Sequence, residues 1–128
     1  MENQKQQHTA LYERTNHVSN SPDEPNGILA QKKTLMEYAK SHKLTCLKHY
    51  SDEGISGGKL DRPALNELLR DVRSGYVGAG VVKDISRIGR NLVEVIRIVQ
   101  ALQDNGAHLI SVSDGIDIFS QKQGGGRL

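Results

Sequence analysis

Short apolar runs alternate along this chain with longer stretches in which apolar residues return every three to four positions. The clearest long stretch is Leu60–Ser74. There Leu65, Leu68, Leu69 and Val72 follow the i, i+3, i+4, i+7 spacing of one buried helix face. Asp61 is placed to cap its start, and Pro63 falls in the first turn, where a missing N–H costs little. Gly75 is placed to stop it. A second helix is expected after Asn91 as N-cap, with Glu94 three residues on in the manner of a capping box. Leu92, Val95, Ile96 and Val99 are its expected buried face and Gly106 its end. A third helix is expected near 28–42, with Ile28, Leu35 and Ala39 near one face. Strand candidates fall between them at Thr9–Arg14, Leu44–Tyr50, Gly80–Lys83 and Ala107–Val112. Strand then helix, repeated, predicts an α/β fold with a mostly parallel sheet of four to five strands flanked by helices.

The 128 residues suit one domain, expected over 9–118, with 1–8 as a polar, disordered lead-in and 119–128 as a tail. Aromatic residues make up only 4% and Trp is absent, so the core must be built from Leu, Ile and Val. No segment reaches the roughly 18–20 apolar residues that span a bilayer. The polar start, Met1 to His8, has no apolar stretch of a secretion signal, and the single Cys46 forms no internal disulfide. These features predict a cytoplasmic protein. A net charge of +2 is too weak to argue for nucleic-acid binding by itself.

Three polar stretches stand where strands give way to helices, the edge at which open α/β sheets bind ligands. They are Tyr12–Asn16, Asp61–Pro63 and Ser86–Asn91, and together they supply Arg14, Arg62, Arg87 and Arg90. Guanidiniums grouped without a carboxylate cluster suit a phosphate, because each presents a planar fork of donors that stays charged. Such donors stabilise a phosphoryl-transfer transition state without a metal ion. Spacing alone favours the plainer reading, surface residues and ion-pair partners. His8, His17, His42, His49 and His108 have no metal-ligand spacing, so neither metal nor cofactor is expected. Cys46 reads as a small, half-buried residue on the second strand. Gly57-Gly58 reads as a turn, and Asp52 and Glu53 as loop charges. A phosphoacceptor receiver or a nucleotide-binding domain is disfavoured, since the chain has neither paired acidic residues after the first strand nor a Gly-rich phosphate loop.

Several segments carry a resemblance. They are ALYER at 10–14, Ile28 with Gln31, DEGISGGKLDRPALNELL at 52–69, VVKDISRIGRN at 81–91 and SDGID at 113–117. Together they resemble the N-terminal catalytic domain of the serine recombinases, the resolvase–invertase family, and most of all the large members carried by conjugative transposons. The resemblance implies site-specific DNA recombination, in which a serine hydroxyl attacks DNA, forms a 5′-phosphoserine link and frees a 3′-OH. It implies DNA as partner, bound mainly through regions beyond this chain, and a homodimer or tetramer at full length. Arg14, Arg62, Arg87 and Arg90 match arginines that surround the scissile phosphate. Gln31 matches a polar residue near that site, and Tyr12 belongs to the same motif. Ser86 stands where many relatives have aspartate, a role that Asp84 is placed to share. Gly126-Arg127-Leu128 resembles the first turn of a long helix that leads to the DNA-binding region.

One position departs from the family pattern Tyr-x-Arg-x-Ser, because Asn16 stands where the serine is expected. An amide has no hydroxyl to ionise and cannot form the phosphoester. Three accounts remain open: an inactive relative, a change introduced at this position, or substitution by a nearby hydroxyl. Ser19 is the fallback nucleophile in the last account, while Thr15 faces the other way if the strand continues. Inactivity ranks first. The alternative to an active recombinase is therefore a recombinase-like domain that assembles on DNA without cutting it.

Overall fold

The computed structural model describes residues 7–16, 24–54 and 62–118. Its strands are β1 (His8–Arg14), β2 (Leu47–Asp52), β3 (Val77–Val82), β4 (His108–Ser111) and β5 (Ile116–Ile118). Its helices are α1 (Ile28–Ser41), α2 (Pro63–Arg73) and α3 (Leu92–Asp104), with one 3-10 turn at Ile85–Arg87. The sheet order is β2-β1-β3-β4-β5. The first four strands are parallel and β5 runs antiparallel against β4. This is the expected α/β architecture, with SDGID supplying the return into the fifth strand.

Alternation along β1 sorts the core into two sides. Ala10 and Tyr12 face a cluster containing Leu65, Leu68 and Val72 of α2 and Ile98 and Leu102 of α3. Leu11 faces the other way, against Leu35 of α1, Val81 and Ile110. β1, which lies between β2 and β3, is thus covered on both faces, and its carboxyl end is Arg14.

Several sequence expectations are corrected. β2 begins at Leu47 rather than Leu44, because Lys43 and Cys46 take left-handed backbone conformations (φ 58° and 54°) that no strand accommodates. Cys46 is therefore half-buried just ahead of the strand and not within it. β3 starts at Val77, earlier than expected, directly after the turn at Gly75, whose φ of 86° suits glycine. The N-cap position of α2 is Arg62, which makes no side-chain cap. Asn91 does cap α3, accepting from the Glu94 N–H at 2.9 Å. The expected face of α3 holds in part: Val95 and Val99 pack against the core, but Leu92 is 71% and Ile96 53% exposed, while Ile98 and Leu102 are buried in their place. The stretch is apolar on several sides, so its periodicity did not single out the side the sheet would take. The expectations for 1–6, Ser19, Gly57-Gly58, Asp61 and 119–128 lie outside the described residues. No helix among the described residues is long and apolar enough to cross a membrane.

Candidate active site

A cleft of about 410 Å³ opens at the carboxyl end of β1, lined by Arg14, Thr15, Asn16, Glu24, Asn26, Ser86, Arg87 and Arg90. Parallel pairing explains the convergence. β1 and β3 run side by side with Tyr12 opposite Val82, so the residues just after each strand meet. Arg14 ends β1, and the 3-10 turn carrying Ser86 and Arg87 follows β3.

The Arg14 side chain is largely committed to holding that turn. Its Nε donates to the Arg87 carbonyl (3.1 Å) and its Nη2 to the Ser86 carbonyl (2.7 Å). Its Nη1 donates to Asn16 Oδ1 (2.7 Å), so the Asn16 amide sits directly on a guanidinium. In return, Arg87 Nη1 donates to the Arg14 carbonyl (3.0 Å). Burial lowers the affinity of Arg14 for its proton, and nearby Arg87, Arg62 and Arg90 act in the same direction. An arginine so perturbed still remains charged at neutral pH.

Asp84 caps the turn by accepting from the Ser86 N–H (3.1 Å) and the Ser86 hydroxyl. Its carboxylate lies 3.5 Å from Arg87 Nε, an ion-pair distance too long for a hydrogen bond. Asp114 holds the same turn from the β4–β5 side, accepting from the Ile85 N–H (3.0 Å) and Ser111 Oγ (2.6 Å). The Ser111 bond chiefly keeps the Asp114 carboxyl below its ordinary range.

Two expected members stand behind the cleft. Gln31 is fully buried and works as a bracket. Its Oε1 accepts from the Arg14 N–H (3.1 Å), while its Nε2 donates to the carbonyls of Arg14 (3.0 Å) and Asn26 (2.8 Å). Arg62 is 1% exposed and does not line the cleft. Its Nη2 donates to Glu94 Oε2 (3.2 Å) and its Nη1 to the Arg87 carbonyl (3.4 Å). Ser19 lies outside the described residues.

Asp52 corrects a sequence expectation. It is no loop charge but a buried residue at the end of β2. Its carboxylate accepts from Tyr12 Oη (2.7 Å) and from the N–H groups of Ala64 (2.9 Å) and Leu65 (3.0 Å). It thereby serves α2 as a cap delivered from another strand. Burial and this bond push the Tyr12 hydroxyl well above its ordinary pKa. The readable signal was an acidic residue ending a strand in a fold where strand ends face helix starts. Asn26 was also missed. It lines the cleft and accepts from Lys83 Nζ at 2.6 Å.

Comparison with known proteins gives a consistent result. The family model described as "Resolvase, N terminal domain" matches residues 9–128. The DNA-invertase hin of Salmonella typhimurium is 33% identical over 69 residues, 54% of this chain and 35% of that protein. The transposon Tn552 DNA-invertase BinR of Staphylococcus aureus is 37% identical over 71 residues, 56% of this chain and 35% of that one. The chain thus matches about a third of the length of these relatives. Among solved structures, the N-terminal catalytic domain of TP901-1 integrase aligns with a TM-score of 0.79 at 27% identity, covering 87% of this chain and 82% of that one. A resolvase family site-specific recombinase from Streptococcus pneumoniae aligns with a TM-score of 0.72 at 30% identity, covering 88% and 76%.

Proposed function

We propose, from the premise that this chain belongs to the resolvase N-terminal domain family, that it is a serine-recombinase catalytic domain whose present site holds a DNA phosphodiester without cutting it. One observation supports the reading: Asn16, which the resemblance matches to the attacking serine, accepts from Arg14 in a cleft that Arg87 and Arg90 also line. In an active relative of this design the hydroxyl oxygen bonds to phosphorus, the 3′ oxygen leaves, and guanidiniums stabilise the charge that builds on the non-bridging oxygens. Here the arginines remain while the hydroxyl is gone. Binding of the phosphate is retained, and bond formation has no nucleophile. The protein acts on DNA in the cytoplasm, and assembles as a homodimer or tetramer at full length.

The test is a covalent-adduct assay. Full-length protein is incubated with its own recombination site, nicked so that cleavage is trapped, and resolved on a denaturing gel. The Asn16 protein is expected to give no adduct, and Asn16→Ser to give one. An adduct from the Asn16 protein would overturn the reading, and mapping its phosphorylated residue would show whether Ser19 or Thr15 had become the nucleophile. No adduct from Asn16→Ser would count against the arginine assignment.

A further inference from the structure

The four arginines do not act alike. Arg87 and Arg90 line the cleft, whereas Arg62 is buried behind it on Glu94. Glu94 is itself placed by features independent of that pair. Its N–H is fixed by Asn91 at the start of α3. Gly89 makes room for it, since a Cβ there would come within 3.0 Å of Glu94 Oε1. Its side chain is only 17% exposed. A carboxylate so placed pairs with the Arg62 guanidinium, and that guanidinium reaches the Arg87 carbonyl. The same carbonyl accepts from Arg14 Nε. The main chain of the 3-10 turn is therefore gripped from two sides, and the Arg87 side chain springs from the gripped residue. Two guanidiniums, those of Arg14 and Arg62, meet at this carbonyl with that of Arg87 nearby, and the like charges repel one another. Glu94 supplies the opposing charge on the Arg62 side, as Asp84 does for Arg87.

We propose that Glu94 is a positioning residue for the cleft: it commits Arg62 to brace the Arg87 carbonyl, and so sets the pose in which Arg87 meets a phosphodiester. The proposal rests on reading the cleft as a phosphate site. It separates from simple electrostatics by sign. Removing a negative charge near an anion site should tighten anion binding if charge alone matters. Removing a positioning group should weaken it, because a misplaced donor loses its geometry.

The experiment titrates inorganic phosphate into the isotope-labelled chain and follows each arginine Nε–H by NMR, in the parent and in Glu94→Gln. In the parent, phosphate is expected to shift Arg87 and Arg90 and to leave Arg62 unmoved, with its guanidinium protons protected from exchange. In Glu94→Gln the Arg87 resonance should move before any phosphate is added, and apparent affinity should fall by about fivefold or more. Unchanged or tighter binding in Glu94→Gln, with Arg87 responding as in the parent, overturns the positioning role alone. If phosphate moves no arginine in the parent, the phosphate reading falls and the proposal falls with it. Should Glu94→Gln not fold, the parent decides: rapid guanidinium exchange at Arg62, or a phosphate shift there as large as at Arg90, refutes the brace.

Discussion

Replacing Asp52 with asparagine keeps the size of the side chain and removes the charge that three donors share. The carboxylate is 3% exposed and accepts from Tyr12 Oη and from two N–H groups of the first turn of α2. An amide offers one oxygen. If that oxygen serves Tyr12 and Leu65, as Oδ2 does now, the amide nitrogen faces the Ala64 N–H, donor against donor. Losing one hydrogen bond to a charged group costs about 2 kcal/mol when the partner stays buried. Losing a negative charge at a helix N-terminus costs roughly 0.5–1 kcal/mol more. The sum is about 3 kcal/mol, which in a domain of this size lowers Tm by about 12 °C. Thermal and urea unfolding followed by circular dichroism would measure it, with both probes required to agree on one transition. Tyr12→Phe alone should cost roughly 1–1.5 kcal/mol. The two changes should couple by about 1 kcal/mol in a double-mutant cycle, since Tyr12 Oη donates to a charged oxygen in the parent and to a neutral amide oxygen in Asp52→Asn. A Tm loss below about 2 °C for Asp52→Asn would refute the claim that a strand-borne carboxylate caps α2.

Three further outcomes are expected. Gln31→Leu fills the same space but unpairs the buried N–H of Arg14 and takes from the Arg14 carbonyl one of its two donors, leaving Arg87 Nη1, so it should cost about 2 kcal/mol in denaturant unfolding, and no loss of stability would show that the bracket is dispensable. On α3, Leu102→Ala should cost roughly 2–5 kcal/mol and Leu92→Ala under about 0.5 kcal/mol; the reverse order would restore the face read from the sequence. Burial raises the Glu13 carboxyl above its ordinary range, against the opposing bonds from Ser51 and His49. The folded state thus keeps this proton to higher pH than the unfolded chain does, and the associated stability, complete at low pH, drains away as pH rises through the folded value. Glu13→Gln, which has no such dependence, should gain on the parent as pH rises across that window, and a gap that closes in the opposite direction would contradict the assignment.

Local signals determined much of this protein. Strand and helix alternation, the Asn91 cap, the stops at Gly75 and Gly106 and the arginines at strand ends all act over a few residues, and all were legible along the chain. So was the place of Asn16, two residues past Arg14 at the end of the first strand. The pairings across the fold were not. Tyr12 finds Asp52 forty residues away because parallel β1 and β2 end side by side, and Arg62 finds Glu94 because α2 and α3 share one face of the sheet. The same distinction governs the arginines. Their composition and spacing are identical whether they meet solvent, phosphate or a neighbouring carbonyl. Only packing buries Arg62 and Gln31 behind the cleft and leaves Arg87 and Arg90 along it, because burial forces each polar group to take whichever partner the fold brings within reach.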